Sequence, residues 1–393
     1  MSFNQEMYAL GSHRSVIRET FEYGRARAAK IGAENVFDFS LGNPSVEPPK
    51  EISDTGMALL AQKGVHGYTS AQGDARVRTA IAESINARHG VHISADLIYM
   101  TCGAAASLSI TLRALLNKDE ECIVFAPFFT EYRVFIESAG GKVRVCAPME
   151  KTFQADVRDL EKKLSASTKA VILNSPNNPS GVVYTPETVR DICDILRKKS
   201  REFHHPIYLI ADEPYRELVY ENVEVPYLMK EYSHTVVCYS YSKALSLPGE
   251  RIGYIALNPE MEDATDLFAA ICGAGRALGY VCAPSLFQHL IAKHVNTTVD
   301  ISQYRENRDL LLRALTSLGF ECVRPDGAFY LFVKSPEPDA TVFCNRARAH
   351  ELLLVPCDDF GVKGYVRISY CVSRECIERA LPAFAALAAE YQA

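Results

Sequence analysis

Several features are missing from this chain of 393 residues, and each absence excludes something. It has no basic block or Lys/Arg-rich tail, and its formal net charge is −6, which argues against a nucleic-acid partner. No apolar stretch approaches the ~20 residues needed to cross a bilayer, so no membrane partner is expected. Residues 1–14 are polar and mixed, with no charged segment leading into an apolar one, which predicts a cytoplasmic rather than a secreted protein. There are twelve cysteines but no Cys-x-x-Cys, and the closest pair is Cys371 and Cys376. Scattered through apolar runs, as at Cys122, Cys146 and Cys238, they read as small buried hydrophobes in a reducing compartment. His204-His205 has no further His or Cys at ligand spacing, so no metal site is expected. The sequon Asn296-Thr297-Thr298 reads as coincidence without a secretion signal. No internal repeat, low-complexity tract or flexible linker is visible.

What is present is a regular alternation. Short β-rich apolar runs at 97–101, 122–126, 142–146, 170–173, 207–211, 235–239 and 252–256 alternate with helical stretches at 104–116, 130–139, 157–164 and 186–200. Several runs are apolar throughout, as suits strands covered on both faces. The pattern predicts an α/β fold: a large domain with a mixed, mostly parallel seven-stranded sheet sandwiched by helices. The last two runs are separated by a short segment, so one of them is free to run antiparallel. The texture changes near Pro284. Helical stretches at 285–295 and 301–318 lead to apolar runs at 322–323, 329–333, 352–355 and 365–370, with helices at 342–350 and 373–391. This reads as a smaller α+β domain, with the first 45 residues packed on it. The expected boundaries are 46–290 for the larger domain, and 1–45 with 291–393 for the smaller.

Reactive side chains stand at the ends of the apolar runs. Ser240-Tyr241-Ser242-Lys243 follows one run, and Arg251 lies eight residues further on. Asp212 ends another run and Tyr215 follows it; Asn178-Pro179-Ser180-Gly181 lies upstream. Each has an ordinary reading by itself. Most lysines are solvated, Asp212 is placed to cap a helix, and Asn-Pro-Ser-Gly is good turn chemistry. Together they supply an amine, a carboxylate, a phenol, an amide, two hydroxyls and a guanidinium. That set suits a pyridine ring, its phenolic oxygen, its phosphate and its aldehyde. Gly103-Ala104-Ala105 opens a helix, where small residues let backbone N–H groups approach an anion. Phe129 is placed to stack on a ring or to fill a core. Arg367 is a charge inside an apolar run, and burial makes it need an anion: a substrate carboxylate or a structural Asp or Glu.

In order and spacing these parts resemble the class I/II aminotransferases of fold type I, which use pyridoxal 5′-phosphate. The resemblance runs from about Phe39 to Ser369, and Asn178, Asp212, Tyr215, Lys243 and Arg367 in that order carry it. It implies that Lys243 forms the Schiff base, that Asp212 pairs with the ring nitrogen, and that Tyr215 and Asn178 bind the phenolic oxygen. It implies that Ser240, Ser242, Arg251 and the amides of Gly103, Ala104 and Ala105 hold the phosphate, and that Phe129 stacks on the ring. Gly42, Asn178 and Arg367 would meet the substrate, with Gly42 and Arg367 on its carboxylate. Tyr68, in Gly67-Tyr68-Thr69, would reach the cofactor of a second subunit, so a homodimer with shared active sites is expected.

Where some bacterial aspartate aminotransferases of this shape carry a lysine for the distal carboxylate, this chain has Ala105. Arg276 is a candidate to replace that lysine from across a dimer, or a structural residue. The activity implied is transfer of an amino group between an L-amino acid and a 2-oxo acid. Two alternatives are a C–S β-lyase, which shares every residue named here, and a non-catalytic regulator that binds the cofactor without turnover.

Overall fold

The computed structural model describes residues 2–12 and 15–392. Its centre is a seven-stranded sheet in the order Ile98–Thr101, Gly253–Leu257, Thr235–Ser240, Tyr208–Glu213, Thr168–Asn174, Glu121–Phe125, Lys142–Cys146. Gly253–Leu257 runs antiparallel to both of its neighbours, and the other pairings are parallel. The seven apolar runs of the sequence are these seven strands. Alternate residues feed two cores: Leu209 and Ala211 face one side of the sheet, Tyr208 and Ile210 the other. Covering both faces explains why the runs are continuously apolar.

Helices Ala104–Leu115, Glu131–Ser138, Val157–Lys163 and Pro186–Phe203 fall within a few residues of their expected positions. Further helices are not legible from the same reading, among them Val16–Ile31, Lys50–Leu60, Ala75–His89 and Ala264–Ala277. Ala75–His89 does carry end signals, since Asp74 accepts from the Arg76 amide and Gly90 closes the helix in a left-handed conformation. Ala264–Ala277 buries Ala264, Leu267, Ile271, Ala274 and Gly275 at helical spacing, a stripe in which only Leu267 and Ile271 are large.

The C-terminal unit is a four-stranded antiparallel sheet, Val355–Pro356, Tyr365–Ser369, Tyr330–Lys334 and Cys322–Val323 in order, with helices Ser302–Ser317, Ala340–Ala349 and Arg374–Ala389. The N-terminal segment joins it through the parallel pair Phe37–Asp38 with Leu352–Leu353, and Phe39 lies in its core against Phe384. Helix Ser285–His294 departs from the expected grouping. It packs on Lys50–Leu60 and Ala75–His89, with Leu290 and Ile291 in the core under the large sheet. The change of texture at Pro284 marks the end of the strand–helix alternation, not the edge of a core.

All twelve cysteines are free thiols. Among the described residues, no helix is long and apolar enough to cross a membrane, and no group of His, Cys, Asp or Glu is placed to hold a metal.

Candidate active site

The carboxyl ends of the parallel strands converge on one cavity of about 510 Å³. This is where open α/β sheets place their ligands. Thr168–Asn174 delivers Asn174, Tyr208–Glu213 delivers Asp212, and Thr235–Ser240 delivers Ser240. The C-terminal sheet contributes Tyr330 and Arg367, and the N-terminal segment contributes Ser15, Arg18, Phe21, Leu41 and Gly42. Of the residues expected at the site, Gly42, Ala104, Ala105, Phe129, Asn178, Asp212, Tyr215, Ser240, Ser242, Lys243, Arg251 and Arg367 all line it.

Asp212 sits at the floor, 5% exposed. Tyr132 donates its phenolic hydrogen to Oδ2, while Oδ1 is buried with no hydrogen-bond partner. Burial pushes the carboxyl up to about 7, against the pull of the Tyr132 hydrogen bond. An unpaired buried carboxylate oxygen is costly unless something protonated faces it. Asn174 ties this floor together: its Nδ2 donates to the Asp212 carbonyl at 3.0 Å, and its Oδ1 accepts from the Asn178 amide at 2.8 Å.

Lys243 lies on the short helix Tyr241–Ala244 directly after a strand. Its Nζ donates to the Gly42 carbonyl at 2.6 Å and stands 5.5 Å from the Phe329 ring centroid. Burial, reinforced by the positive charges of Arg251 and Arg367, brings the ammonium down to about 8. A lysine in that range releases its proton far more readily than a solvated one. A Cβ at Gly42 would lie 2.2 Å from the Tyr330 hydroxyl, so the close packing of this backbone on Tyr330 requires glycine.

An anion cradle lies beside it. Helix Ala104–Leu115 starts at Gly103 with no side-chain cap, which leaves its first N–H groups free. Gly103 has φ +85°, and a Cβ there would meet Arg251 Nη2 at 2.7 Å. Arg251 donates to Ser242 Oγ at 3.4 Å, and the Ser240 and Ser242 hydroxyls lie 2.8 Å apart. At the opposite end, Arg367 is 2% exposed. It donates to Asn178 Oδ1 at 3.1 Å and to the Ser40 carbonyl at 2.5 Å, and its Nε is buried without a partner. Those partners are neutral, so a buried positive charge faces the cavity and calls for an anionic ligand there. Tyr215 shares a 2.7 Å hydrogen bond with Tyr330, and the Arg367 guanidinium lies 4.7 Å from the Tyr330 ring centroid.

Pyridoxal phosphate fits these residues: an unpaired carboxylate oxygen for its ring nitrogen, a glycine-floored cradle with Arg251 for its phosphate, and a readily deprotonated lysine for its aldehyde. Phe129 lines the same wall, edge-on to Tyr132 at 5.7 Å between centroids. Two expected residues are outside the lining: Gly103, which lies behind Arg251 in the cradle, and Tyr68. Tyr68 is 91% exposed and stands outside the cavity of its own chain. Arg276, at the exposed end of its helix, is also outside the lining. Sequence reasoning missed Tyr132, Asn174, Tyr330 and Arg18. Tyr132 and Asn174 stand three and four residues from Phe129 and Asn178, so their spacing was the available signal.

The raised Asp212 carboxyl has a measurable consequence for the cofactor-free protein. Its proton is held more tightly in the folded than in the unfolded chain, so folding stability falls as pH rises from the ordinary carboxylate range through about 7. Asp212→Asn removes that penalty. In urea titrations without cofactor, the variant should be more stable than the parent at pH 8, and the gap should close as pH falls below about 4, the ordinary carboxylate range. An equal gap at both pH values would show that the carboxylate is not destabilised by burial.

The family model for aminotransferase class I and II matches residues 34–384. A solved aminotransferase from Eubacterium rectale is 53% identical, with TM-score 0.98 over the full length of both chains. An aspartate aminotransferase from Thermotoga maritima is 31% identical over 93% of this chain and 95% of its own. The Thermus thermophilus aspartate aminotransferase solved with maleate is 26% identical, with TM-score 0.88 over 98% of this chain and 100% of its own. Fold, cavity and similarity agree: the chain belongs to the class I and II aminotransferase family, and it is a pyridoxal-phosphate-dependent enzyme moving an amino group between an L-amino acid and a 2-oxo acid.

Proposed function

We infer that this transaminase prefers a dicarboxylic donor, L-aspartate, and that two copies of the chain share their active sites. The observation that carries the donor class is the charge of the cavity. Four cations, Arg18, Lys243, Arg251 and Arg367, face two carboxylates, Glu131 and Asp212. The cofactor and a substrate α-carboxylate engage Lys243, Asp212, Arg251 and Arg367, which leaves one cation, Arg18, and one carboxylate, Glu131; Arg18 is the group available to a second substrate carboxylate. Arg18 lies on helix Val16–Ile31 beside Ile17 and Phe21, its side chain is 74% exposed, and among the described residues its ion-pair partner is Glu22 at 4.0 Å. The similarity to enzymes named for aspartate, one of them solved with the dicarboxylate maleate, supports the same donor.

The residues divide the work as follows. Pyridoxal phosphate, when bound, supplies an electron sink for the substrate α-carbon. Asp212 keeps the ring nitrogen protonated, and Tyr132 fixes the Asp212 carboxylate. Tyr215 and Asn178 hydrogen-bond the phenolic oxygen. Ser240, Ser242, Arg251 and the Gly103, Ala104 and Ala105 amides hold the phosphate, with Phe129 against the ring. Lys243 would hold the aldehyde, and its free amine would be the base that moves the α-proton. Arg367 orients the α-carboxylate beside the Gly42 backbone. Free cysteines throughout the chain suit a reducing cytoplasm.

The donor assignment is tested with cofactor-loaded protein mixed with aspartate, alanine or phenylalanine, following cofactor absorbance. Aspartate should give the highest kcat/KM. Arg18→Met should lower kcat/KM for aspartate by ~10-fold or more, the scale of a charged hydrogen bond, and leave alanine unchanged. Equal losses on both donors would remove Arg18 from side-chain recognition. Arg367→Ala should lower every donor alike, and Lys243→Ala should abolish turnover.

Shared sites follow from Tyr68, whose exposed phenol has no role in its own cavity. Hybrids of a Lys243→Ala chain and a Tyr68→Phe chain should contain one site with both residues intact. Activity well above either parent is expected; hybrids no more active than their parents would show that each chain works alone.

A further inference from the structure

Strand Tyr208–Glu213 ends with two carboxylates on opposite faces. Asp212 points into the active site, while Glu213, 2% exposed, lies on the far side of the sheet. Two residues later the chain presents Tyr215 to the cavity, and Arg216 then turns back onto Glu213. The Arg216 guanidinium donates to both Glu213 oxygens, Nε at 2.6 Å and Nη2 at 2.5 Å. It also donates to the carbonyls of Val225 at 3.1 Å and Pro226 at 2.9 Å, and lies 5.0 Å from the Tyr227 ring centroid. Its neighbour Glu217 has a cation of its own, Arg88 at 3.3 Å. Arg216 is 9% exposed, and each of its bonds is fixed by a planar fork.

The pair closes a four-residue loop around Pro214 and Tyr215. One end is anchored in the sheet ladder and the other in the 225–227 segment. The Tyr215 hydroxyl is hydrogen-bonded to the Tyr330 hydroxyl, its ring stands edge-on to Phe329 and Tyr330, and its carbonyl accepts from the Leu218 amide. Its place along the cavity floor is therefore set both by these contacts on the cavity side and by the backbone on either side of it. Resting on the reading of Tyr215 as a cofactor contact, we propose that the buried Glu213–Arg216 pair is a positioning device for Tyr215, holding its phenol in place from behind the sheet.

A buried pair also affects folding, and the test separates the two roles. Removing one partner leaves an unpaired buried charge, whereas replacing both with apolar groups of similar size spares stability. Arg216→Met and Glu213→Met should each lower the Tm of cofactor-loaded protein. Glu213→Met/Arg216→Met should recover most of that loss. Its kcat should stay ~10- to ~10²-fold below the parent, the scale of a small misplacement of a reacting group. The pH midpoint of the bound cofactor's visible absorbance should move in the same direction as in Tyr215→Phe. A recovered double variant with parental kcat and midpoint would overturn the proposal. Arg216→Lys keeps the charge without the fork and gives a second reading if the double variant does not recover. A folded Arg216→Lys protein that is parental in both measurements overturns the proposal equally. If Tyr215→Phe leaves the midpoint where it is, Tyr215 does not contact the cofactor, and the proposal falls with that reading.

Discussion

The site depends on one buried carboxylate. Asp212 stands at the end of a central strand, held on one oxygen by Tyr132 and open on the other. Burial makes its ionised form expensive, and a protonated ring nitrogen is the partner that relieves the expense. Its surroundings look built to keep it in place. Asn174 from the neighbouring strand holds the Asp212 carbonyl, and the same side chain fixes the Asn178 amide. One amide thus couples the carboxylate to the residue that meets Arg367.

Lys243 carries the complementary compromise. Its ammonium is buried near two guanidinium groups, which lowers its proton affinity. In the empty protein both groups oppose folding, and a ligand that satisfies both stabilises the folded chain by mass action. Cofactor binding and folding are therefore linked through the same two side chains that do chemistry. This is strain located where function needs it, supported by a sheet with both faces covered.

No single part of the fold contains the whole site. The large sheet supplies the floor and the phosphate cradle, the C-terminal sheet supplies Arg367 and Tyr330, and the N-terminal segment supplies Gly42 and Arg18. Arg367 is a strand residue, paired with Phe332 and Val355, so its direction is set by sheet register rather than by a mobile loop. Arg18, by contrast, is a side chain 74% exposed on helix Val16–Ile31.

The sequence by itself determined the strand–helix alternation, the seven strands and the residues at their ends, because fully covered strands must be apolar throughout and reactive groups must then sit where the runs stop. It carried Lys243, Asp212, Asn178, Arg251 and Arg367 in readable order. It did not carry the grouping of helix Ser285–His294 or the helix Ala264–Ala277, whose buried stripe has only two large residues, Leu267 and Ile271. Only the tertiary structure decided which oxygen of Asp212 is free, that Asn174 bridges two strand ends, that Arg367 lacks an acidic partner, and that Arg18 reaches the cavity while Tyr68 does not. Those depend on distances between segments tens to hundreds of residues apart, and periodicity along a chain records which face a residue occupies, not which neighbour it meets there.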